Sequence, residues 1–172
     1  MPDPTKKPQI TILGVGNILL KDEGVGVRVV EYLCRRYDFA ENVQIVDGGV
    51  LGIRLMGVIG NTDILIVVDA VCNRSAPGTL YRLADDQVPR RVLAKQSMHQ
   101  LDLPEVLALC TAIDKNPRVV VVGVEPNDIT TMDVELTPAI AARIPDLAAM
   151  VLAELDALAV AYAVKQAEEP CP

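Results

Sequence analysis

The sequence predicts an α/β protein: a single domain with a doubly wound, mostly parallel sheet of about five strands and helices on both faces. Three observations lead there. Asp63-Ile-Leu-Ile-Val-Val-Asp69 and Arg118-Val-Val-Val-Val-Gly123 are apolar almost without a break, as strands covered on both faces are. Segments with apolar residues at helical spacing lie between such runs, the alternation that generates parallel sheets. The 172 residues, 51% of them apolar, suit one domain, since roughly 150 residues per domain is the usual expectation.

Each element follows in order. Gln9 to Gly16 is a β-branched run ending in glycines, so it reads as a buried strand. Val25, Val29 and Leu33 recur at helical spacing, giving a helix from about Glu23 to Tyr37. Val43 to Asp47 is a second strand, closed by Gly48-Gly49, and a short helix follows from about Leu51 to Ile59. Asp63 to Asp69 is the third strand. Pro77-Gly78 turns the chain into a shorter strand, about Thr79 to Leu83, whose alternating pattern marks an edge. A long loop through Pro89 reaches Met98-His99. Leu101 to Ile113 is helical, with Pro104 tolerated in its first turn. Arg118 to Gly123 is the next central strand, followed by a loop through Pro126. Thr137 caps a helix that has Pro138 at its first position; Pro145 restarts or kinks it, and it runs to about residue 165. The ends, roughly 1–7 and 166–172, read as frayed, and no repeat or linker divides the chain.

Composition excludes several functions. The net charge is −7 and the isoelectric point about 4.7. Basic residues gather in no more than pairs, such as Arg35-Arg36 and Arg90-Arg91, so neither a nucleic acid nor an anionic membrane is expected as a partner. Phe39 and four tyrosines, with no tryptophan, offer little platform for stacking bases. The 18 residues from Leu147 to Val164 are rich in Ala, Leu and Val, but Glu154 and Asp156 sit at their centre. An aspartate at mid-membrane costs about 2.5–3.5 kcal/mol, so the segment reads as a packed helix. Cysteines 34, 72, 110 and 171 form no CxxC pair, and Met1-Pro2-Asp3-Pro4 does not resemble a secretory signal. A cytoplasmic protein with reduced thiols is the expectation.

Ligands of open parallel sheets bind outside the carboxyl ends of the strands. The polar residues that emerge there are Asn17, Asp22, Glu23, Asp47, Asp69, Glu125 and Asn127, with His99, the sole histidine, in a loop entering a helix. Gly14-Val-Gly16 begins like a dinucleotide fingerprint, but Leu19 occupies the third glycine position, and Gly24 and Gly26 come too late to repair it. The two serines, Ser75 and Ser97, lack the surroundings of a triad. Cys72 paired with His99 would need cationic support beyond Arg74 to form a thiolate. Glu23, Asp69 and His99 remain. Two carboxylates and an imidazole from three connections suit a borderline divalent ion such as Ni, Zn, Co or Fe, with open positions left over. The same residues also suit bland roles: Glu23 beside a helix N-terminus, Asp69 as a loop cap, His99 as a loop residue.

The segment Ile12-Leu-Gly-Val-Gly-Asn-Ile-Leu-Leu-Lys-Asp-Glu-Gly-Val-Gly-Val-Arg28 resembles the N-terminal signature of the hydrogenase maturation endopeptidases. Asp47-Gly48-Gly49, Asp69-Ala70, Ala76-Pro77-Gly78-Thr79, His99-Gln100-Leu101 and Gly123-Val124-Glu125-Pro126 then follow in that family's order. The resemblance covers about residues 10 to 155. It implies an endopeptidase that removes a C-terminal peptide from the precursor of the nickel–iron hydrogenase large subunit, its partner, after the metal is inserted. It also implies that Glu23, Asp69 and His99 are the metal-contacting and catalytic positions. The nickel would come with the precursor, and other divalent ions would fit the same donors. Gly14, Gly16 and Asn17 would shape the adjoining loop, and Asp47 with its glycines would seat substrate or simply form a turn. Nickel as a docking handle and nickel as a Lewis acid both remain open. A nickel-binding chaperone without cleavage activity is the alternative.

Overall fold

A computed structural model describes residues 7–50, 55–84, 111 and 114–166. Five strands form the main sheet: β1 (Ile10–Val15), β3 (Val43–Gly49), β4 (Ile64–Ala70), β5 (Leu80–Ala84) and β6 (Arg118–Val124). Their order is β3-β1-β4-β6-β5. All neighbours are parallel except β5, which runs antiparallel on the edge beside β6. This is the architecture expected, with the alternating strand at the edge.

The period of two along each strand sends side chains to two cores. Ile10 and Ile12 of β1, Ile66 and Val68 of β4, and Val122 and Val124 of β6 face one side. There they meet Val25, Val29 and Leu33 of α1 (Val25–Arg36), with Leu147, Val151 and Leu155 further along the chain. Leu13 and Val15, Leu65 and Val67, and Val121 face the other side, against Leu55 and Ile59 of α2 (Leu55–Ile59). The one polar residue on the inner run of β1, Thr11, is fully buried and shares a 2.6 Å hydroxyl–hydroxyl bond with Thr62, while the Gln44 amide donates to it at 2.7 Å. Buried hydroxyls with partners carry no desolvation penalty of the kind an orphan would.

From β1 the chain passes through α1 to β3 on one flank, then through α2 to β4 on the other flank of β1. The connections therefore diverge at the carboxyl ends of β1 and β4, the place where such sheets hold ligands.

Several expectations need correction or fall elsewhere. The helix expected from Thr137 to about 165 is two helices and a strand: α3 (Pro138–Ala141), α4 (Ile144–Ala157) and β7 (Tyr162–Val164). The chain leaves α4 through Ala159 at φ +54°, with Val160 N–H donating to Leu155 O at 3.0 Å and Ala159 N–H to Asp156 O. That is a Schellman-type ending, normally signalled by glycine, so an alanine conceals it. β7 pairs antiparallel with β2 (Tyr37–Phe39) in a second, two-stranded sheet where Tyr37, Phe39 and Tyr162 rings cluster. Thr137 makes no side-chain cap, although Pro138 does occupy the first turn. β3 runs two residues further than expected, through Gly48, and ends at Gly49 with φ +43°. Cys34, half-buried on α1, is disulfide-bonded, against the expectation of reduced thiols. The nearest other cysteine in the chain, Cys72, is 38 residues away, so spacing gives no sign of a bridge. The helix expected at Leu101–Ile113 and most of the two ends lie outside the described residues. No helix among the described residues is long and apolar enough to cross a membrane.

Candidate functional site

β1 does not run directly into α1. Residues 16–24 intervene, ending in a single 3-10 turn, Lys21–Gly24, that packs against β4. Gly16, at φ +127°, starts this connection; a Cβ there would lie 1.7 Å from the carbonyl oxygen of Glu23. Asn17 then folds the loop back, its side-chain Oδ1 accepting from Leu19 N–H at 3.0 Å and its carbonyl from Leu20 N–H at 3.1 Å. A dinucleotide turn would place a helix N-terminus beside the second glycine; here α1 begins nine residues later, at Val25.

Glu23 is half-buried on the 3-10 turn. Its height above the sheet is fixed three residues on, where Gly26 meets the strand ends backbone to backbone. A Cβ on Gly26 would lie 2.1 Å from Val68 O and 2.4 Å from Val15 O. Since Val68 directly precedes Asp69, this contact brings the Glu23 turn and the end of β4 to one edge of the sheet. Asp69 is 4% exposed, and its Oδ1 accepts from Ala70 N–H at 2.7 Å. Two carboxylates on rigid backbone at the diverging strand ends can hold a divalent ion, orient a water or take its proton. His99, expected with them, lies outside the described residues. Among the described residues no group of three His, Cys, Asp or Glu side chains is placed to hold a metal ion.

The other carboxylates at this edge divide into surface residues and clasps. Asp47 is exposed on β3. Asp22 is fully buried beside Glu23. Its Oδ2 accepts from the amides of Asn127 (3.0 Å) and Asp128 (2.9 Å) and from the Thr137 hydroxyl (2.9 Å); its Oδ1 accepts from Thr137 N–H (2.7 Å). Asp22 thus fastens the loop after β6 to the turn that carries Glu23. Glu125, 6% exposed, does the same for the loop after β4: it accepts from the amides of Asn73 (2.9 Å) and Arg74 (3.0 Å) and from the Tyr81 hydroxyl (2.5 Å). Burial works against its charge, but the Tyr81 hydroxyl and the amides of Asn73, Ser75 and Arg74 prevail and hold the carboxyl below its ordinary value. Burial, then the facing carboxylate, pushes the Tyr81 phenol up. Cys72, half-buried, lies in the loop that Glu125 fastens.

Sequence reasoning put Asp22 and Glu125 at the correct edge but gave them no role. In a linear sequence, an aspartate beside a glutamate does not reveal which one turns inward to collect amide protons from a loop more than a hundred residues away.

A family model described as hydrogenase maturation protease matches residues 27–154. The hydrogenase 2 maturation protease of Escherichia coli is 42% identical over 149 residues, which is 86% of this chain and 90% of that protein. The hydrogenase expression/formation protein HupD of Thiocapsa roseopersicina is 42% identical over 147 residues, 84% of this chain; the chain spans 66% of that relative's length. The solved structure of the hydrogenase maturating endopeptidase HybD from E. coli superposes with a TM-score of 0.86 at 40% identity, over 91% of this chain and 98% of that one.

Proposed function

The chain belongs to the hydrogenase maturation protease family, a family of peptidases, and from that premise we propose that it trims the C-terminal extension of a nickel–iron hydrogenase large-subunit precursor once nickel is in place. Nickel is cargo in this reading. It arrives held by the precursor's own cysteines and is met by Glu23, Asp69 and His99, so that the enzyme reads the metal as well as the peptide. The observation that carries the proposal is the shared position of the Glu23 turn and Asp69 at the diverging ends of β1 and β4, locked by the Gly26–Val68 contact.

Hydrolysis adds water across one peptide bond, the hydroxyl going to the carbonyl carbon and the proton to the leaving amine. A carboxylate within reach of that water takes its proton, a service worth about 10²–10⁴-fold in rate. Asp69, 4% exposed and anchored through Ala70 N–H, is suited to that task; Glu23, more exposed, is suited to meeting the metal.

Intact mass spectrometry of nickel-loaded precursor, incubated with wild type or with His99→Ala, tests this, with metal-free precursor as a second control. Loss of one defined C-terminal peptide, with wild type and nickel together and in no other combination, is the expected result. An unchanged mass while the protein still binds the nickel-loaded precursor would replace the protease by a chaperone.

A further inference from the structure

The disulfide on Cys34 has a partner that the fold can identify. Cys34 is half-buried in the last turn of α1, two residues before Arg36. The chain has three other cysteines, at 72, 110 and 171. Cys72 is outside any disulfide, so the choice lies between Cys110 and Cys171. Asp114, four residues after Cys110, lines a polar cleft with Gly60, Asn61, Thr62 and Asp63. These residues follow α2, on the face of the sheet opposite α1: Thr62 bonds Thr11, whose neighbours Ile10 and Ile12 point to the α1 side. From Asp114 the chain enters β6, which β4 separates from β1. The sheet therefore stands between Cys34 and the chain that leaves Cys110.

The other route leads straight to Cys34. β2 begins at Tyr37, directly after α1, and β7 runs antiparallel beside it with Val164 opposite Tyr37. Lys165 N–H then donates to Arg36 O at 2.8 Å, which sets the backbone of residue 165 against the last turn of α1. Cys34 and Arg36 share one helical turn, about 5.4 Å of axial rise. The six residues from 166 to 171 reach about 20 Å when extended, and a disulfide needs its two α-carbons only about 4.4–6.8 Å apart. We infer that Cys34 is joined to Cys171, so that segment 166–171 straps the end of α1, and that this strap is a thiol switch on the stability of the α1–β2–β7 corner. Closure takes a proton and an electron from each thiol. A small disulfide of the oxidised-glutathione class accepts them and leaves as two thiols, and a dithiol reverses the exchange. The linked positions are 137 residues apart, and cross-links that close long loops restrict the unfolded chain most. The switch acts at the end of α1 remote from the Glu23 turn, and the inference does not depend on the processing reading.

The test starts from the full chain equilibrated with oxidised glutathione. Remaining thiols are alkylated in denaturant and the protein is mapped by mass spectrometry of its peptides without reduction. One linked pair containing Cys34 and Cys171 is expected, with Cys72 and Cys110 alkylated. A Cys34–Cys110 pair, or alkylation at all four positions, would overturn the assignment. Cys171→Ser, and reduction of wild type by dithiothreitol, should each lower the melting temperature by about 5 °C or more. The two effects should not add, since both open the same bond, and Cys110→Ser should melt like wild type. Hydrogen exchange in Leu33–Arg36 and in β7 should quicken on reduction. A Cys171→Ser variant that melts and exchanges like the oxidised wild type would show that no strap holds this corner.

Discussion

Thr137 gives both its backbone N–H and its hydroxyl to the carboxylate of Asp22, 115 residues earlier in the chain. The two amides that share this carboxylate, from Asn127 and Asp128, make it a four-donor clasp with no exposure to solvent. Asp22→Ala strands those donors, each at about 1–3 kcal/mol when buried. A loss of about 3 kcal/mol or more in urea denaturation is expected, with faster hydrogen exchange at Asn127, Asp128 and Thr137. Asp22→Asn keeps one oxygen and should lose less. Equal stability of wild type and Asp22→Ala would show that the loop has another anchor.

Gly26→Ala asks for room that the strand ends do not have. The new methyl would meet the backbone oxygens of Val68 and Val15, which no rotamer change can move. Either α1 lifts away from β4 or the protein unfolds more readily, at about 1–3 kcal/mol. A lifted helix carries Glu23 with it, so processing should fall further than stability alone accounts for. Thermal melting and the rate of precursor processing, measured on the same preparation, separate the two effects.

Glu125 makes stability depend on pH in a direction that can be stated in advance. Its folded carboxyl lies below the ordinary 4.5, so the ionised form contributes fully above that value. The contribution disappears as pH falls through the lower, folded value. Glu125→Gln, which cannot ionise, should be about 2 kcal/mol less stable than wild type at neutral pH, the scale of hydrogen bonds to a buried charge. The gap should close on acidification below about 4.5, as paired urea titrations would reveal. A gap independent of pH would mean that the lost contribution is packing and not charge.

Ala159→Gly is expected to stabilise. The alanine holds φ +54° at the end of α4, a conformation that costs a side chain about 1 kcal/mol and a glycine nothing. The melting temperature should rise by a few degrees, and a fall would indicate that the methyl packs against something that matters more.

The sheet was legible because its signal is chemical and local. β4 and β6 carry apolar residues at nearly every position, and burial on both faces is the one environment that tolerates this. The edge position of β5 showed in its alternation, Tyr81 and Leu83 inward and Arg82 outward to Glu154. What escaped depends on partners distant in sequence. β2 and β7 have three residues each and exist through each other and through the rings of Tyr37, Phe39 and Tyr162. The end of α4 escaped because alanine does there what glycine ordinarily does. The placing of Glu23 and Asp69 at one edge of the sheet was legible from topology, since the strand ends that converge there follow from the order of elements. Asp22 and Glu125 stood at the same edge, and their inward turn is fixed by loops whose approach no spacing rule encodes.

The pairing of the last described helix with the first has a consequence for synthesis. α4 packs directly on α1, and Leu147, Val151 and Leu155 complete the core face that Val29 and Leu33 begin. β7 then closes on β2, which directly follows α1. A ribosome that has delivered the chain as far as residue 120 has therefore exposed a helix whose lid is still unmade, and compaction of that face must wait for residues 144–164. Nascent chains arrested before Ile144 should stay open to proteases and to holding chaperones, and those arrested with Val164 outside the exit tunnel should not.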